Sequence, residues 1–200
     1  MNFDVNYKLV TFNPDAMSLV KSATNNPMLD YEDGKLHNPK SNTQPKSYGL
    51  GAPIAEKNLY TRNSTIAWIQ DPSLYTLLLN MVAKINKSAG WNFKITGVEP
   101  IQYGLYPVGG FYDWHLDQHQ KPVKGQVRKI SMSLMLNESF EGGAFDLEIY
   151  KPGTDPRYKT FDLSIGQAIF FCGHTWHRVQ PVTKGIRESI VAWFYGPPYI

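Results

Sequence analysis

The stretch IQYGLYPVGGFYDWHLD, residues 101–117, carries the strongest indication of the fold of this chain. It divides into two short apolar segments separated by the turn Pro107-Val108-Gly109-Gly110, which is typical of two consecutive β-strands. The second segment ends in His115-Leu116-Asp117, and residues two apart on a strand point to the same face. The stretch therefore predicts a strand that delivers an imidazole and a carboxylate to one side of a sheet.

The same pattern of short β-segments and turns continues from Trp91 to the end of the chain. Glu141-Gly142-Gly143 and Lys184-Gly185 are two of its turn signals. Many short strands with such turns indicate a double-sheet jelly roll. We predict strands at residues 93–105, 111–117, 128–137, 143–150, 158–162, 166–171, 175–182 and 187–195.

Two helices are predicted before this region. Asn13 suits the N-cap position and Pro14 the first turn of a helix over residues 14–24, because an N-cap oxygen accepts a free amide and proline has no amide to lose. Residues 73–88 carry leucines at helical spacing. Short strands are expected at residues 3–12 and 64–69.

Residues 25–61 form a long polar connection rich in turn signals. A connection of this kind is a functional loop, such as a substrate lid, or a disordered segment. We predict one domain over residues 1–200. Its fold class is α+β, mainly β, with a double-stranded β-helix (jelly-roll) core at 91–198 and supporting N-terminal helices.

Composition narrows the function classes. The net charge is only +3, and the basic residues are scattered, so nucleic acid is not an expected partner. No apolar stretch is long enough to span a bilayer, so no membrane partner is expected either. With one cysteine, Cys172, no internal disulfide can form, and the N-terminus lacks the features of a signal peptide. A cytoplasmic location is the expectation; oligomeric state is not specified.

A candidate metal site follows from the histidines. His115, Asp117 and a second histidine would form a 2-His-1-carboxylate facial triad, the ligand set of non-haem Fe(II) oxygenases, which leaves open positions on the metal. We favour His177, which opens a predicted strand, as the third ligand. His174 and His119 are alternatives.

Arg187 begins the last predicted strand, ten residues after His177. A buried arginine needs an anionic partner, since an unpaired buried charge is costly. A carboxylate bound through two hydrogen bonds suits the planar guanidinium. That carboxylate could belong to a cosubstrate or to an Asp or Glu of the protein, and the residue alone does not decide between them.

Several ordered motifs carry a family resemblance. They span residues 62–198 and include Gln102–Tyr106, Gly110–Asp117, Arg128–Ser131, Leu136-Asn137, Glu141–Gly143, Gly166, Phe170-Phe171, His177–Arg187 and Trp193. With them the chain resembles the Fe(II)- and 2-oxoglutarate-dependent dioxygenases, specifically the prolyl 4-hydroxylase-like branch of microbes and phages.

The resemblance implies a role for individual residues. His115, Asp117 and His177 would bind Fe(II), and Arg187 would pair with the distal carboxylate of 2-oxoglutarate. Tyr106, Val179 and Trp193 match positions that reach or line the cosubstrate pocket, and Arg128 matches one that can contact substrate near its mouth. Aromatic candidates for the pocket walls are Phe111, Tyr112, Trp114, Phe145 and Trp193, and of these Trp114 is also a candidate substrate contact.

One position departs from the family pattern. Members of this branch often carry a tyrosine just before the Leu-Asn pair, where it helps the arginine to hold the cosubstrate carboxylate. Here that position is Met135. A hydroxyl from Ser133 or Ser189 is the expected substitute.

The implied activity is oxidative decarboxylation of 2-oxoglutarate coupled to hydroxylation of a substrate. It would use Fe(II), 2-oxoglutarate and O2, and ascorbate is a candidate further cofactor. A peptidyl proline is the leading substrate by analogy, and a free amino acid, another small molecule or a nucleobase is the alternative. Rival classes are a silent jelly-roll binding module and a cupin-like metalloenzyme without 2-oxoglutarate. For a phage-encoded chain the location would be the host cytoplasm.

Overall fold

The computed structural model describes residues 6–34, 61–149 and 157–199. Its helices are α1 (Pro14–Thr24) and α2 (Pro72–Ser88). Within the described ranges the strands, in chain order, are β1 (Tyr7–Thr11), β2 (Tyr31–Asp33), β3 (Arg62–Asn63), β4 (Thr65–Ile69), β5 (Gly97–Val98), β6 (Ile101–Tyr106), β7 (Phe111–His115), β8 (Val127–Met135), β9 (Phe140–Gly142), β10 (Phe145–Glu148), β11 (Tyr158–Phe161), β12 (Gln167–Cys172), β13 (His177–Val179), β14 (Val182–Gly185) and β15 (Arg187–Gly196).

Both helices begin at side-chain caps. The Asn13 side chain accepts a hydrogen bond from the Ala16 amide at 2.9 Å, and the Asp71 side chain accepts one from the Leu74 amide at 2.8 Å. In each helix a proline occupies the first turn, where an amide hydrogen would have no helical partner. Neither described helix combines the length and the apolar character needed to cross a membrane.

The larger sheet has the strand order β1-β12-β8-β15-β6-β4-β2, with β5 paired to the far end of β15. The helices cover one of its faces. Val20 from α1 and Leu74, Leu78 and Val82 from α2 are all 0% exposed there, and burying each such side chain stabilises the fold by about 1.5–3 kcal/mol.

The smaller sheet, of order β11-β10-β13-β7-β3, covers the other face of the larger one. Alternation along β12 shows the division: Phe170 packs with the helices, whereas Ile169 and Phe171 pack between the sheets. The paired strands run antiparallel, and β14 and β9 form a separate two-stranded ribbon. This is the predicted mainly-β jelly roll with helices on one side.

Two predicted strands are interrupted by proline. The strand expected at 93–105 is divided into β5 and β6 around Pro100, and the one expected at 175–182 ends as β13 before Pro181. Proline cannot donate a hydrogen bond to a ladder, which explains both breaks.

Part of the expected 25–61 loop is a strand. β2 pairs with β4, with Tyr31 opposite Ala67 and Asp33 opposite Thr65. Residues 35–60 lie outside the described residues, so the lid stays a prediction.

Candidate active site

Strand pairing brings the two histidines of the triad together. His115 ends β7 and His177 begins β13, and they are direct partners in the ladder, with ring centroids 4.0 Å apart. Asp117, two residues past His115, places Oδ1 3.7 Å from His115 Nε2 and Oδ2 3.4 Å from His177 Nε2. The ligand atoms of the three side chains all lie within 4.8 Å of one another, so they can coordinate one ion.

On each imidazole ring, the nitrogen that faces away from Asp117 makes a hydrogen bond that orients the ring. His115 Nδ1 lies 2.7 Å from the Asp113 carbonyl oxygen, and His177 Nδ1 lies 3.0 Å from the Thr175 carbonyl oxygen. A carbonyl only accepts, so each Nδ1 carries the hydrogen and each Nε2 presents a lone pair toward Asp117. Metal-binding histidines are held in this way.

The environment also sets the charges that a metal site needs. Burial, together with neighbouring His177, lowers the pKa of His115 to about 3, so its ring is neutral at pH 7. Burial alone would raise the pKa of Asp117, but His177 and His115 outweigh it and hold this pKa below its ordinary value. A neutral imidazole and an ionised carboxylate are the forms that bind metal.

The alternative histidines do not join this group. His174 and His119 both have exposed side chains and lie outside the cluster formed by His115, Asp117 and His177.

Arg187 is 1% exposed and lies in the same cavity. Its Nη1 donates to Ser189 Oγ at 3.0 Å, while Nε and Nη2 are buried without a hydrogen-bond partner in the described structure. The guanidinium carbon lies 5.4 Å from the centre of the Tyr106 ring. No described Asp or Glu pairs with Arg187, so two of its donors are left for a carboxylate from outside the chain.

Gly143 allows this arginine to fit. A Cβ atom built on Gly143 would lie 2.8 Å from Arg187 Cδ, and the backbone at Gly143 has a φ of +64°. Both the close approach and the left-handed conformation favour glycine. The predicted turn Glu141-Gly142-Gly143 thus contributes to the site by leaving room for the arginine.

The triad and Arg187 line one cavity between the two sheets. Among the residues expected from the sequence, Tyr106, Ser133, Val179 and Trp193 line it. Tyr112 and Phe145 also line it, whereas Phe111 and Trp114 do not.

Trp114 lies on the outer face of the smaller sheet. Its ring contacts Tyr158, with centroids 5.4 Å apart, and the Arg178 guanidinium at 4.9 Å. The alternation that turns His115 inward turns its neighbour outward. A substrate contact by Trp114 therefore remains a prediction, and it would lie outside the cavity of the metal ligands.

In the described residues, four of the six buried side-chain polar atoms without a hydrogen-bond partner belong to residues that line this cavity, namely those of Asp117, Arg187 and Trp193. Such atoms are rare in folded proteins, and each calls for an explanation. They are Asp117 Oδ2, Arg187 Nε and Nη2, Trp193 Nε1, Ser131 Oγ and Arg62 Nη2. An acceptor oriented toward a cation and donors oriented toward an anion fit Fe(II) and 2-oxoglutarate bound side by side.

Of the two serines expected to stand in for the family tyrosine, Ser189 is the one that contacts Arg187. Met135 is 2% exposed and lies directly opposite Ser189 in the ladder. Ser133 lines the cavity, but its hydroxyl makes no hydrogen bond to Arg187. Ser189 is therefore the residue that accepts from the arginine.

Arg62 and Gln102 lie beside the site, and neither was expected to have a role there from the sequence. Arg62 lies 4.7 Å from the Tyr112 ring centre and donates to Gln102 Oε1 at 3.2 Å. Tyr112 in turn stacks on His115 at 3.5 Å. Tyr112 shares the side of His115 because a bulge interrupts the β7–β13 ladder. Strand alternation would have separated residues three apart.

Comparison with known proteins agrees with this geometry. Residues 101–195 match the sequence model of the 2OG-Fe(II) oxygenase superfamily. A PKHD-type hydroxylase from Thermosynechococcus vestitus is 35% identical over 104 residues, covering 50% of this chain and 43% of the relative. One from Pseudomonas fluorescens Pf-5 is 30% identical over 102 residues. The chain thus spans less than half the length of these relatives.

Solved structures show the same fold. A Pseudomonas putida prolyl-4-hydroxylase superposes with a TM-score of 0.63 at 19% identity, covering 94% of this chain and 91% of that one. The viral collagen prolyl hydroxylase of Paramecium bursaria Chlorella virus-1, in its 2OG complex, gives 0.61 at 15% identity, covering 96% and 97%.

The triad and the unpaired Arg187 lie in the region that matches the family. This segment is similar to the 2OG-Fe(II) oxygenase superfamily and to the PKHD-type hydroxylases, and the fold is similar to that of the prolyl 4-hydroxylases.

Proposed function

We propose that this chain hydroxylates a peptidyl proline, coupled to oxidative decarboxylation of 2-oxoglutarate. The observation that carries the proposal is the convergence of His115, Asp117, His177 and the unpaired Arg187 on one cavity. A metal-ligand set and a free carboxylate receptor are the two features that this chemistry requires.

Residues from the two sheets would have different roles. The triad on the smaller sheet would hold Fe(II), and Arg187, fixed by Ser189 on the larger sheet, would hold the distal carboxylate of 2-oxoglutarate. Fe(II), 2-oxoglutarate and O2 supply the oxidising chemistry when bound. The chain's own contribution is orientation and exclusion of water by the apolar walls Phe145, Phe171 and Val179.

Three considerations support proline as the substrate. Proline has an apolar ring, which suits a cavity walled by Phe145, Val179 and Trp193. Hydroxylation of carbon needs no general acid or base from the chain. Several structural neighbours are named as prolyl hydroxylases, one of them in complex with a peptide fragment.

The unpartnered atoms disfavour the rival classes. A silent binding module would bear the cost of a buried unpaired guanidinium without any ligand to relieve it. A metalloenzyme without 2-oxoglutarate would explain the triad but leave Arg187 unexplained. We infer that both features serve one reaction.

A cytoplasmic location is part of the proposal. Cys172 is the single cysteine of the sequence, and burial raises the pKa of its thiol to about 11. A buried, protonated thiol is unreactive, which is compatible with a reducing compartment.

The experiment is a substrate panel with Fe(II), 2-oxoglutarate, O2 and ascorbate. It contains proline-bearing peptides, the matching alanine peptides, free amino acids and nucleosides. A mass gain of one oxygen atom on proline, with equal succinate release and no product from His177→Ala, supports the proposal. Oxygen gained only by a free amino acid, another small molecule or a nucleobase would replace proline as the substrate. No product with any of them would contradict the proposal.

A further inference from the structure

Arg128 is fully engaged by residues of its own chain. Its Nε donates to Glu99 Oε1 at 2.7 Å and its Nη2 donates to Glu99 Oε2 at 2.6 Å. This is the two-bond geometry in which arginine binds a carboxylate most strongly. The guanidinium carbon also lies 4.0 Å from the centre of the Trp193 ring, so one flat face of Arg128 is covered by an aromatic side chain.

The remaining Arg128 nitrogen reaches a metal ligand. Nη1 donates to the main-chain carbonyl oxygen of Asp117 at 3.3 Å. Asp117 lies two residues beyond the end of β7, where no ladder fixes the backbone. A neighbouring bond, from the Gln118 amide to the Gly173 carbonyl at 2.9 Å, holds the following residue. The hydrogen bond from Arg128 therefore acts on the part of the triad that strand pairing does not position.

We propose that Glu99 and Arg128 are a positioning pair, which holds Asp117 in place for the metal. Glu99 fixes Nε and Nη2, and Trp193 fixes the plane of the guanidinium. Nη1 is thereby oriented toward Asp117. This inference rests on the metal site of the proposed function but not on the identity of the substrate.

The competing interpretation is a substrate contact by Arg128, as the family resemblance implies. A substrate anion would have to displace the Glu99 carboxylate from two charge-assisted hydrogen bonds at 2.6 and 2.7 Å. The two interpretations predict that mutations of the pair change different measured quantities. A positioning pair affects metal binding before any substrate is present, whereas a substrate contact affects only the KM for the substrate.

The test is titration of the metal-free protein with Co(II), a spectroscopic probe for a divalent metal site, in the variants Glu99→Gln and Arg128→Lys. Gln cannot accept the two charge-assisted bonds, and Lys cannot form the planar fork. We expect each variant to bind Co(II) about 10- to 100-fold more weakly, the range for mutations behind a metal ligand. The visible Co(II) spectrum should also change.

The matched control is Glu141→Gln. Glu141 accepts from Lys184 at 2.7 Å, and both side chains are exposed, at 64% and 74%. The substitution removes the same charge from the surface, and we expect it to leave Co(II) affinity and spectrum as in the wild type.

The double variant Glu99→Gln/Arg128→Lys separates one pair from two independent effects. If both residues act through the same hydrogen bond, the double variant should lose little more Co(II) affinity than either single variant. Independent losses would multiply and contradict the pair.

Wild-type Co(II) affinity and spectrum in folded Glu99→Gln or Arg128→Lys would overturn the proposal. Thermal melting of the metal-free variants shows whether they are folded. Should the single variants not fold, Glu99→Asp keeps the charge but shortens the reach, and unchanged Co(II) binding there would likewise count against positioning. Co(II) binding is measured without catalysis. A wild type that binds Co(II) but hydroxylates no proline would therefore contradict the proposed function and leave the positioning proposal intact.

Discussion

Arg187 is the residue whose surroundings say most about the site. It is fully buried, one nitrogen donates to Ser189, and two nitrogens have no partner among the described residues. Burial without an anionic partner lowers the pKa of this guanidinium. A bound carboxylate would supply that anion. Because the buried charge is unpaired in the free protein, the site favours an anionic ligand over a neutral one.

The role of Ser189 can be tested against that of Ser133. Ser189→Ala removes the hydroxyl that orients Arg187, and we expect the Kd for 2-oxoglutarate to rise about tenfold, the effect of losing one hydrogen bond to a charged group. Ser133→Ala should change that Kd less, since its hydroxyl does not bind the arginine. Calorimetry in the presence of Co(II) measures both, and an equal effect of the two variants would contradict the assignment to Ser189.

At the scale of elements, turns and ladders decide which side chains meet. The β7–β13 pairing joins His115 to His177 across sixty residues of sequence, and the β9–β14 ribbon ends at the turn that contains Gly143. The ribbon contributes no chemical group to the metal site. It holds a backbone position against which Arg187 packs.

Substitution of Gly143 tests whether this turn leaves room for Arg187. Gly143→Ala would place a Cβ 2.8 Å from Arg187 Cδ at a φ of +64°, so the arginine must move, and binding of 2-oxoglutarate should weaken by about tenfold or more, as when a buried charge pair is disturbed. Calorimetric titration with 2-oxoglutarate measures the change.

Gly90→Ala is the matched control for backbone strain. Gly90 has a φ of +73°, and nothing lies within 4 Å of the added Cβ. We expect it to lower the free energy of unfolding by about 1 kcal/mol, the typical cost of a strained non-glycine residue, without a change in binding. Equal weakening of 2-oxoglutarate binding in both variants would show that strain, not contact with Arg187, is responsible.

The elements were predicted from the sequence better than their contacts. Period-two alternation placed His115 and Asp117 on one face, and Asn13 caps α1 as predicted, whereas the Asp71 cap of α2 was not predicted. Pro100 and Pro181 mark strand breaks that the apolar pattern alone had bridged. Residues 97–98 and 62–63 are too short as strands to leave a periodic signal.

The contacts that complete the site were beyond prediction because they join residues far apart in sequence. Glu99, between β5 and β6, pairs with Arg128 on β8, and Arg62 on β3 bonds to Gln102 on β6. No local sequence pattern marks any of these residues. The bulge that turns Tyr112 toward His115 also depends on the partner strand. The ligands and Arg187 were recognisable because family motifs preserve their order and spacing.

For the whole molecule, the site joins two sheets. The proposed metal ligands His115 and His177 lie on β7 and β13 of the smaller sheet, with Asp117 two residues past β7, and the proposed carboxylate receptor Arg187 lies on β15 of the larger sheet. A metal with 2-oxoglutarate would therefore link the two layers of the jelly roll and relieve unpartnered groups on both.

This arrangement predicts stabilisation that depends on both ligands. Ligand binding stabilises the native state by RT ln(1 + [L]/Kd), about 2.7 kcal/mol at a hundredfold excess over Kd. We expect anaerobic thermal melts to show a larger rise in Tm with Co(II) and 2-oxoglutarate together than with either alone. Arg187→Met should retain the Co(II) effect and lose the additional rise. A full rise with 2-oxoglutarate alone would mean that the cosubstrate binds without the metal, against this account.

The most direct test of the central claim is anaerobic titration of the protein with Fe(II) and 2-oxoglutarate, followed by the visible charge-transfer band of the chelate. We expect a band in the wild type, none in His177→Ala, and in Arg187→Met a band only at a much higher concentration of 2-oxoglutarate. No band in well-folded wild type, or a band unchanged by His177→Ala, would contradict the assignment of His115, Asp117, His177 and Arg187 to one Fe(II)/2-oxoglutarate centre.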